Sequence, residues 1–187
     1  MTLDIVEGLL GGARYCPSAN ANERPDEGAV SLLVIHNISL PPGQYGTPYI
    51  EDFFTNRLDC SLHGYFSTLI GVEVSAHLLI LRTGEVVQFV PFHRRAWHAG
   101  ESSFEGRVNC NDFSIGIELE GTDTEPYTGQ QYSSLLDVSR VLLAEYSQLD
   151  MGRIVGHADI SPGRKSDPGP AFDWSAYFSA LNTGGRQ

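Results

Sequence analysis

The sequence predicts an α/β fold (α+β in the finer classification): one domain with a central mixed β-sheet flanked by helices. A continuous apolar run at 31–36 suits a strand buried on both faces, and clean alternation at 114–120 suits a second strand. Stretches with helical periodicity, 128–146 and 173–181, supply the flanking helices. The full predicted order, β-α-β-β-β-α-β-α, is typical of a mixed sheet covered by helices.

The length of 187 residues favours a single domain spanning residues 1–187. No internal repeat and no long linker divides the chain. Residues 1–30 are polar and rich in turn formers, so we expect an irregular N-terminal arm that wraps over the core. We expect the glycine-containing tail, residues 183–187, to fray.

In the first half of the chain, the strand at 31–36 is followed by a helix and a hairpin. The helix is predicted to begin where Thr47 can cap it and Pro48 can take the first helical position, and to run toward Leu58. The runs 72–81 and 86–90 read as strands separated by a glycine-containing turn, and they predict a hairpin.

In the second half, the strand at 114–120 predicts two different faces. One face carries Ile115, Ile117 and Leu119, and the other carries Gly116, Glu118 and Glu120. Thr128 and Gln131 form a capping-box signal for a long helix, and a short strand follows at 153–157. A final helix is predicted from Asp173, burying the apolar residues Trp174, Tyr177, Phe178 and Leu181.

Composition excludes several classes of protein. The formal net charge of −11 argues against a nucleic-acid binder, which needs a basic surface. No apolar run approaches the length of a membrane span, and the acidic N-terminus lacks the cations of a signal peptide. The cysteines, Cys16, Cys60 and Cys110, are widely spaced and indicate free thiols in a reducing compartment. We therefore expect a cytoplasmic protein, and a monomer.

Two histidines suggest a metal site. His36 and His157 each end a short apolar strand, and in open α/β sheets ligands bind beyond the carboxyl ends of the strands. Asp167 precedes a proline, which favours an extended backbone and turns its carboxylate to the same side as Lys165. Two imidazoles and one carboxylate form a three-ligand zinc site with an open fourth position, as in hydrolytic zinc enzymes. Asp159 is the competing carboxylate ligand.

Glutamates on the strand at 114–120 supply a candidate base. Glu118 shares a strand face with Gly116, and the missing side chain thins that face so that another group can approach closely. A glutamate near zinc-bound water can accept its proton. Glu120 is the alternative base, or a group that orients the site.

The other four histidines lie in different contexts. His77 falls within a predicted strand and is expected in the core, whereas His63 and His93 are expected at the surface. His98 follows Trp97 in a loop with cationic neighbours, a composition that suits sugar stacking and carboxylate binding as well as a purely structural loop.

Several blocks of sequence occur together, in the order of a known family. The chain resembles AmpD-type 1,6-anhydro-N-acetylmuramyl-L-alanine amidases from about residue 5 to 180. The blocks that carry the resemblance are 36–43, 74–77, 95–100, 110–123 and 164–169. The resemblance implies the peptidoglycan-recognition fold, with a mixed sheet, flanking helices and a zinc groove on one side.

The resemblance also implies roles for individual residues. It places Zn²⁺ on His36, His157 and Asp167, and the catalytic pair on Glu118 and Lys165. We assign substrate-binding roles to Asn37, Arg95, Trp97, His98, Arg107 and Arg164. Members of the family tend to carry arginines near positions 73 and 109, where this chain has Glu73 and Asn109.

The implied activity is hydrolysis of the amide between the lactyl group of anhydro-N-acetylmuramic acid and L-alanine, in cytosolic recycling of cell-wall fragments. The substrate would be a small anhydro-muropeptide. Two alternatives remain open at this point: a muropeptide-binding protein without activity, and a structural zinc site that takes Asp159 or His98 as its fourth ligand.

Overall fold

The protein, described by a computed structural model over residues 3–26 and 30–183, is built around a six-stranded mixed sheet. In spatial order the strands are β12 (Ile154–Gly156), β5 (Leu32–Ile38), β11 (Ser114–Glu120), β6 (Leu78–Ile80), β7 (Val86–Gln88) and β3 (Arg14–Tyr15). The first four are mutually parallel, β7 is antiparallel to β6, and β3 is parallel to β7. The predicted mixed sheet is therefore confirmed, and the carboxyl ends of β12, β5 and β11 share one edge.

Helices cover both faces of this sheet. Their bounds are α1 (Tyr49–Phe54), α2 (Gly129–Glu145), α3 (His157–Ile160) and α4 (Trp174–Thr183). Short 3₁₀ helices occupy Gly64–Leu69, Cys110–Asp112 and Met151–Arg153. Of the helices of the described chain, none is long and apolar enough to cross a lipid bilayer.

The two faces of β5 and β11 have different neighbours, as the alternation predicts. Ile115, Ile117 and Leu119 belong to one core cluster with Leu135 and Tyr177, which lie on α2 and α4. The opposite face therefore carries the even-numbered residues of both strands. The parallel register pairs Glu118 with His36 on that face.

The two long helices begin close to where the sequence predicts. The Thr128 hydroxyl accepts from the Gln131 amide and the Gln131 side chain accepts from the Thr128 amide, which completes the capping box of α2. The Asp173 carboxylate accepts a hydrogen bond from the Ala176 amide at the start of α4. Both helix starts are thus confirmed.

Helix α1 is shorter than predicted. It begins at Tyr49 rather than Pro48 and ends at Phe54, well before Leu58. The Thr47 hydroxyl donates to the carbonyl of Leu40, so it does not cap the helix. Asn56 adopts a positive φ of 59°, which turns the chain out of the helix.

The predicted strand at 72–81 is also too long, because only Leu78–Ile80 pairs with β11. The His77 side chain replaces part of the ladder: its Nδ1 accepts from the Gly116 amide, while its own amide donates to the Gly116 carbonyl. The predicted hairpin between β6 and β7 is confirmed.

The N-terminal arm is more regular than predicted. Within it lie β1 (Ile5–Val6), β2 (Leu9–Leu10), β3 and β4 (Ala21–Glu23), and β4 pairs with β8 (Arg94–Ala96). Two further short strands, β9 (Ser103–Phe104) and β10 (Arg107–Val108), form a hairpin of their own. Residues 184–187, which hold most of the predicted frayed tail, lie outside the described residues, as do residues 27–29 of the arm.

Candidate metal centre and active site

Three side chains converge beyond the carboxyl ends of the parallel strands. His36 lies near the end of β5, His157 is the first residue of α3 directly after β12, and Asp167 comes from the loop that follows α3. Their facing atoms form a compact triangle: Nδ1 of His36 lies 2.9 Å from Nδ1 of His157, and Oδ2 of Asp167 lies 3.1 Å from each. These three residues form the one cluster able to hold a metal ion that is found among the described residues.

The donor set and its spacing fit zinc. Tetrahedral zinc, with ligand bonds of about 2.0–2.1 Å, holds its ligand atoms about 3.3 Å apart, close to the spacing seen here. Two imidazole nitrogens and one carboxylate oxygen are ligands that zinc accepts readily. Neither alternative donor belongs to this cluster: Oδ2 of Asp159 accepts from the Gly156 amide at 2.7 Å, and both ring nitrogens of His98 have other partners. The cluster thus offers three candidate ligands among the described residues.

Both histidines turn Nδ1 toward the centre and Nε2 away from it. Nε2 of His157 lies 3.0 Å from the carbonyl oxygen of Ala99, an acceptor that requires the proton on Nε2. We therefore assign the Nε2–H tautomer to His157, which leaves Nδ1 unprotonated as a metal ligand must be. Nε2 of His36 faces Nδ1 of His98 at 2.9 Å.

The loop that carries Asp167 is fixed by backbone hydrogen bonds. The Asp167 carbonyl accepts from the Ala158 amide, and the Pro168 carbonyl accepts from the side chains of Asn37 and Tyr127. Asn37, predicted to bind substrate, therefore uses its amide group to hold the ligand loop, and it also donates to the Asp123 carboxylate. Gly156 permits this close packing, since a Cβ there would lie 2.8 Å from the Pro168 ring.

The charge states suit metal binding. Burial lowers the pKa of His36 to about 4, so this imidazole is neutral at pH 7. Burial raises the pKa of Asp167, but hydrogen bonds from His157 and His36 outweigh it, and the net pKa lies well below its usual value. The centre presents a neutral ring and an ionised carboxylate, the forms that bind a cation.

Glu118 is the unpaired acid of the site. Glu118 is 9% exposed and lines the same cavity as the candidate ligands His157 and Asp167, yet its Oε2 has no hydrogen-bond partner. Burial raises its pKa well above the usual value, and the negative charge of Asp167 adds to the effect. A buried carboxylate oxygen without a hydrogen-bond partner lowers the stability of the folded state, and groups of this kind are often found at functional sites.

Glu120, the alternative base, is occupied elsewhere. Its two carboxylate oxygens accept from the backbone amides of Gly46 and Arg82, at 2.6 and 2.9 Å. Glu120 therefore ties the loop before α1 to the β6–β7 hairpin. The structure favours Glu118 over Glu120 as the acid of the site.

A cavity of about 640 Å³ opens onto this centre, a volume typical of small-molecule sites. Its lining combines apolar and aromatic residues with polar and charged ones. The polar and charged lining residues include Asp123, Arg164, Lys165 and Ser166. The apolar and aromatic lining residues include Phe53, Tyr65, Leu69, Val72, Val74 and Trp97. Lys165, the only lysine of the chain, thus lies beside the metal centre.

The structure brings only some of the predicted substrate-binding residues to this cavity. Asn37, Trp97 and Arg164 line it, although the Arg164 guanidinium also donates to the carbonyls of Ala99 and Glu101. The expectation that Arg95 and Arg107 line the substrate site is not met. Arg95 pairs with Asp112 at 2.5 Å, and Arg107 lies over the Phe113 ring at 4.0 Å, so both cations have partners away from the cavity. The cavity is also lined by Tyr65 and Asp123, to which the sequence assigned no role: Tyr65 lies in no motif, and Asp123 is the last residue of the block 110–123.

His98 borders the cavity, but its ring nitrogens face His36 and Ser114 rather than open space. It is 8% exposed. Both ring nitrogens thus have protein partners, so His98, predicted to bind substrate, has neither nitrogen free for a hydrogen bond to it. The other predictions for histidines are confirmed: His77 is fully buried, and His63 and His93 are exposed. All three cysteines are free thiols.

The absence of a side chain at Gly116 leaves space for the His98 ring. The group predicted to approach this strand face closely is therefore His98. A Cβ at this position would lie 2.5 Å from Cγ of the His98 ring, a distance that forces the ring to move. We expect Gly116→Ala to lower the free energy of unfolding by about 1–3 kcal/mol, the usual cost of overpacking, and to weaken metal binding. Chemical denaturation of the metal-free protein measures the first effect.

Gly129→Ala is the matched control, because a Cβ there meets nothing within 4 Å at the start of α2. It should leave stability unchanged or slightly raised. Equal stability of the two variants would contradict close packing of His98 on Gly116.

Comparison with known proteins gives a consistent result. A family model described as N-acetylmuramoyl-L-alanine amidase matches residues 26–170. The chain is 54% identical over 183 residues to the 1,6-anhydro-N-acetylmuramyl-L-alanine amidase AmpD of Citrobacter freundii, an alignment that covers 98% of this chain and 96% of that protein. A crystal structure of a selenomethionine derivative of AmpD superposes with a TM-score of 0.91 at 54% identity, covering 95% and 98% of the two chains.

A more distant solved structure contains a ligand. AmpDh3 from Pseudomonas aeruginosa, in complex with an anhydromuramic pentapeptide, superposes with a TM-score of 0.61 at 28% identity. The match covers 85% of this chain and 62% of AmpDh3.

Proposed function

The chain belongs to the N-acetylmuramoyl-L-alanine amidase family, and we propose that it is a zinc enzyme that cleaves anhydro-muropeptides. The bond cleaved is the amide between the lactyl group of 1,6-anhydro-N-acetylmuramic acid and L-alanine, as in the name of its 54% identical relative. The observation that carries this proposal is the cluster of His36, His157 and Asp167 beside the unpaired carboxylate of Glu118.

His36, His157 and Asp167 would hold Zn²⁺ through two Nδ1 atoms and one carboxylate oxygen. Bound Zn²⁺ supplies a Lewis acid, which polarises a carbonyl and lowers the pKa of water from about 15.7 to about 7. Both imidazoles are held by contacts outside the cluster, and the Asp167 carbonyl accepts from the Ala158 amide, so the site is organised by the fold itself.

Glu118 is the proposed general base. Its Oε2 takes the proton from the water that attacks the substrate carbonyl, and returns it to the nitrogen of the leaving L-alanine. Burial suits this role, because it raises the pKa of Glu118 toward the range in which a carboxylate exchanges protons efficiently.

Lys165 is proposed to stabilise the negative charge that develops on the carbonyl oxygen, because it lines the same cavity. Lys165→Ala is expected to lower kcat by about 10²–10³-fold with a small change in KM, since the charge exists only in the transition state. Steady-state kinetics on a purified anhydro-muropeptide measure both constants. Arg107→Ala removes a cation that does not line the cavity and is the control, with no expected change in either constant.

If Lys165→Ala raises KM by as much as it lowers kcat/KM, the lysine acts in substrate binding instead. Lys165→Arg keeps the charge and should recover part of the lost kcat.

The substrate is proposed to lie along the cavity, with the sugar and lactyl group against the apolar lining residues, which include Trp97. Arg164 and Lys165 are the cationic residues of the lining, and they would face the acidic stem peptide. We further propose that the protein acts as a monomer in the cytoplasm, in recycling of peptidoglycan fragments.

The decisive experiment incubates the purified protein with anhydro-muropeptide and follows the products by mass spectrometry. We expect free stem peptide and anhydro-N-acetylmuramic acid. A chelator should stop the reaction, and added zinc should restore it. A zinc-loaded protein that binds the intact muropeptide without cutting it would instead indicate a binding protein.

A further inference from the structure

A line of hydrogen-bonded side chains runs from the candidate metal centre into the core. Nε2 of His36 lies 2.9 Å from Nδ1 of His98, and Nε2 of His98 lies 3.0 Å from Oγ of Ser114. The exposed fractions of the three residues are 1%, 8% and 0%. The line is therefore buried throughout.

When Nδ1 of His36 binds a metal ion, only one arrangement of protons on the two rings allows both hydrogen bonds of this line to form. That nitrogen then carries no proton, so the proton of His36 is on Nε2 and must be donated to Nδ1 of His98. His98 consequently carries its own proton on Nε2, which donates to the hydroxyl oxygen of Ser114. The opposite tautomer of His98 would set two N–H groups against each other.

The position of His98 is set by contacts that do not involve the metal. Oδ1 of Asn111 accepts from the backbone amides of both His98 and Ala99, at 3.0 and 2.8 Å. Arg24, 4% exposed, donates to the carbonyl of Asn111 at 3.1 Å. Gly116 forms the floor beneath the ring.

The adjacent residues His98 and Ala99 accept hydrogen bonds from both candidate histidine ligands. His98 accepts from Nε2 of His36 through its ring, and Ala99 accepts from Nε2 of His157 through its carbonyl at 3.0 Å. One short segment thus fixes the rotation of both imidazoles, and each turns Nδ1 toward Asp167.

We propose that His98 is a positioning residue for the metal centre: its Nδ1 accepts the Nε2–H of His36 and so holds that tautomer, while its own Nε2–H is donated to Ser114. This inference rests on the proposed function only in taking a metal ion as the occupant of the centre. It assigns His98 to the support of a ligand, in place of the contact with substrate expected from the sequence.

The test compares two substitutions of nearly equal size. His98→Asn keeps an acceptor, Oδ1, close to the position of Nδ1, whereas His98→Leu removes it. Zinc affinity of the metal-free proteins is measured by titration with zinc ions against a competing chelator. We expect His98→Leu to bind zinc about 10–100-fold more weakly than the wild type, and His98→Asn to recover most of that loss.

Ser114→Ala tests the far end of the line with a minimal change. It removes the acceptor of His98 and should weaken zinc binding by about 10-fold. Ser139→Ala is the matched control: Ser139 is equally buried, but its hydroxyl pairs with that of Tyr177. It should leave zinc affinity unchanged. Unfolding of each metal-free variant is followed alongside, to separate loss of fold from loss of metal.

Nitrogen NMR of the zinc-loaded wild type tests the proton order without any substitution. We expect protonated Nε2 and unprotonated Nδ1 on both His36 and His98. Protonated Nδ1 on His98, or equal zinc affinity of His98→Leu and His98→Asn in folded proteins, would overturn the inference. Failure of the wild type to bind zinc at all would instead overturn the proposed metal centre.

Discussion

Replacing Asp167 with alanine is expected to abolish zinc binding and amidase activity together while the fold is retained. Asp167 supplies the one carboxylate among the three candidate ligands found in the described residues, and its Oδ2 lies 3.1 Å from both imidazole nitrogens. Loss of a hydrogen-bond partner of a ligand costs about 10–100-fold in metal affinity, so loss of a ligand itself should cost more than about 100-fold. We expect kcat/KM to fall by at least about 10³-fold.

Asp159→Ala is the comparison that decides between the two carboxylates. Asp159 is near His157 in sequence, but its Oδ2 accepts from the Gly156 amide rather than facing the centre. Its loss should affect stability more than zinc affinity. Zinc content of the purified proteins and peptide release from anhydro-muropeptide are the two readouts. A greater loss of zinc in Asp159→Ala than in Asp167→Ala would reverse the assignment of the ligand.

The convergence of the candidate ligands could be predicted because local sequence and sheet topology act together at these positions. His36 and His157 each end a short apolar run, and the parallel pairing of β12 with β5 places those ends at one edge. Glu118 followed from strict alternation along β11, in parallel register with β5. The periodicity of a helix or strand determines the face on which each side chain lies, so residues at the end of such an element can be placed from the sequence.

The loop residues could not be placed in the same way. Arg95 and Arg107 share the chemistry of Arg164, yet only Arg164 lines the cavity, because Asp112 and the Phe113 ring hold the other two. The hydrogen bonds that position His98 are accepted by Asn111, more than ten residues further along the chain. No local sequence pattern predicts contacts of this kind. Gly116 indicated that something approaches the strand, but a missing side chain does not reveal what fills the space.

The N-terminal arm shows a second limit. Its strands are two or three residues long, too short for alternation to be recognised. They form because neighbouring segments offer partners, as β8 does for β4. The regular structure of the arm thus depends on tertiary context rather than on local propensity.

Replacing Glu118 with glutamine is expected to lower kcat by about 10²–10⁴-fold while zinc affinity stays close to that of the wild type. Glutamine has nearly the same shape but cannot accept the proton of the attacking water. Steady-state kinetics and zinc titration measure the two effects separately. Near-normal kcat in a zinc-loaded Glu118→Gln protein would remove Glu118 from the proposed mechanism.

The same substitution should make the metal-free protein more stable at neutral pH. Burial, reinforced by Asp167, raises the pKa of Glu118 in the folded state. A carboxyl group with a raised folded pKa stabilises the fold below its unfolded pKa of about 4.3, and that contribution is lost as the pH rises through the folded value. Glutamine does not ionise, so the variant should unfold at higher denaturant than the wild type at pH 7–8 and lose this advantage near about pH 4.

Zinc binding should reduce the difference in stability. A cation beside Glu118 favours the ionised carboxylate and so lowers its pKa in the folded protein. Denaturation of both proteins with and without zinc, at pH 4 and pH 7.5, gives the full comparison. Equal stability of the two metal-free proteins at pH 7.5 would mean that Glu118 is not strained by its burial. Gain of stability together with loss of turnover would identify Glu118 as a group retained for catalysis at the expense of the fold.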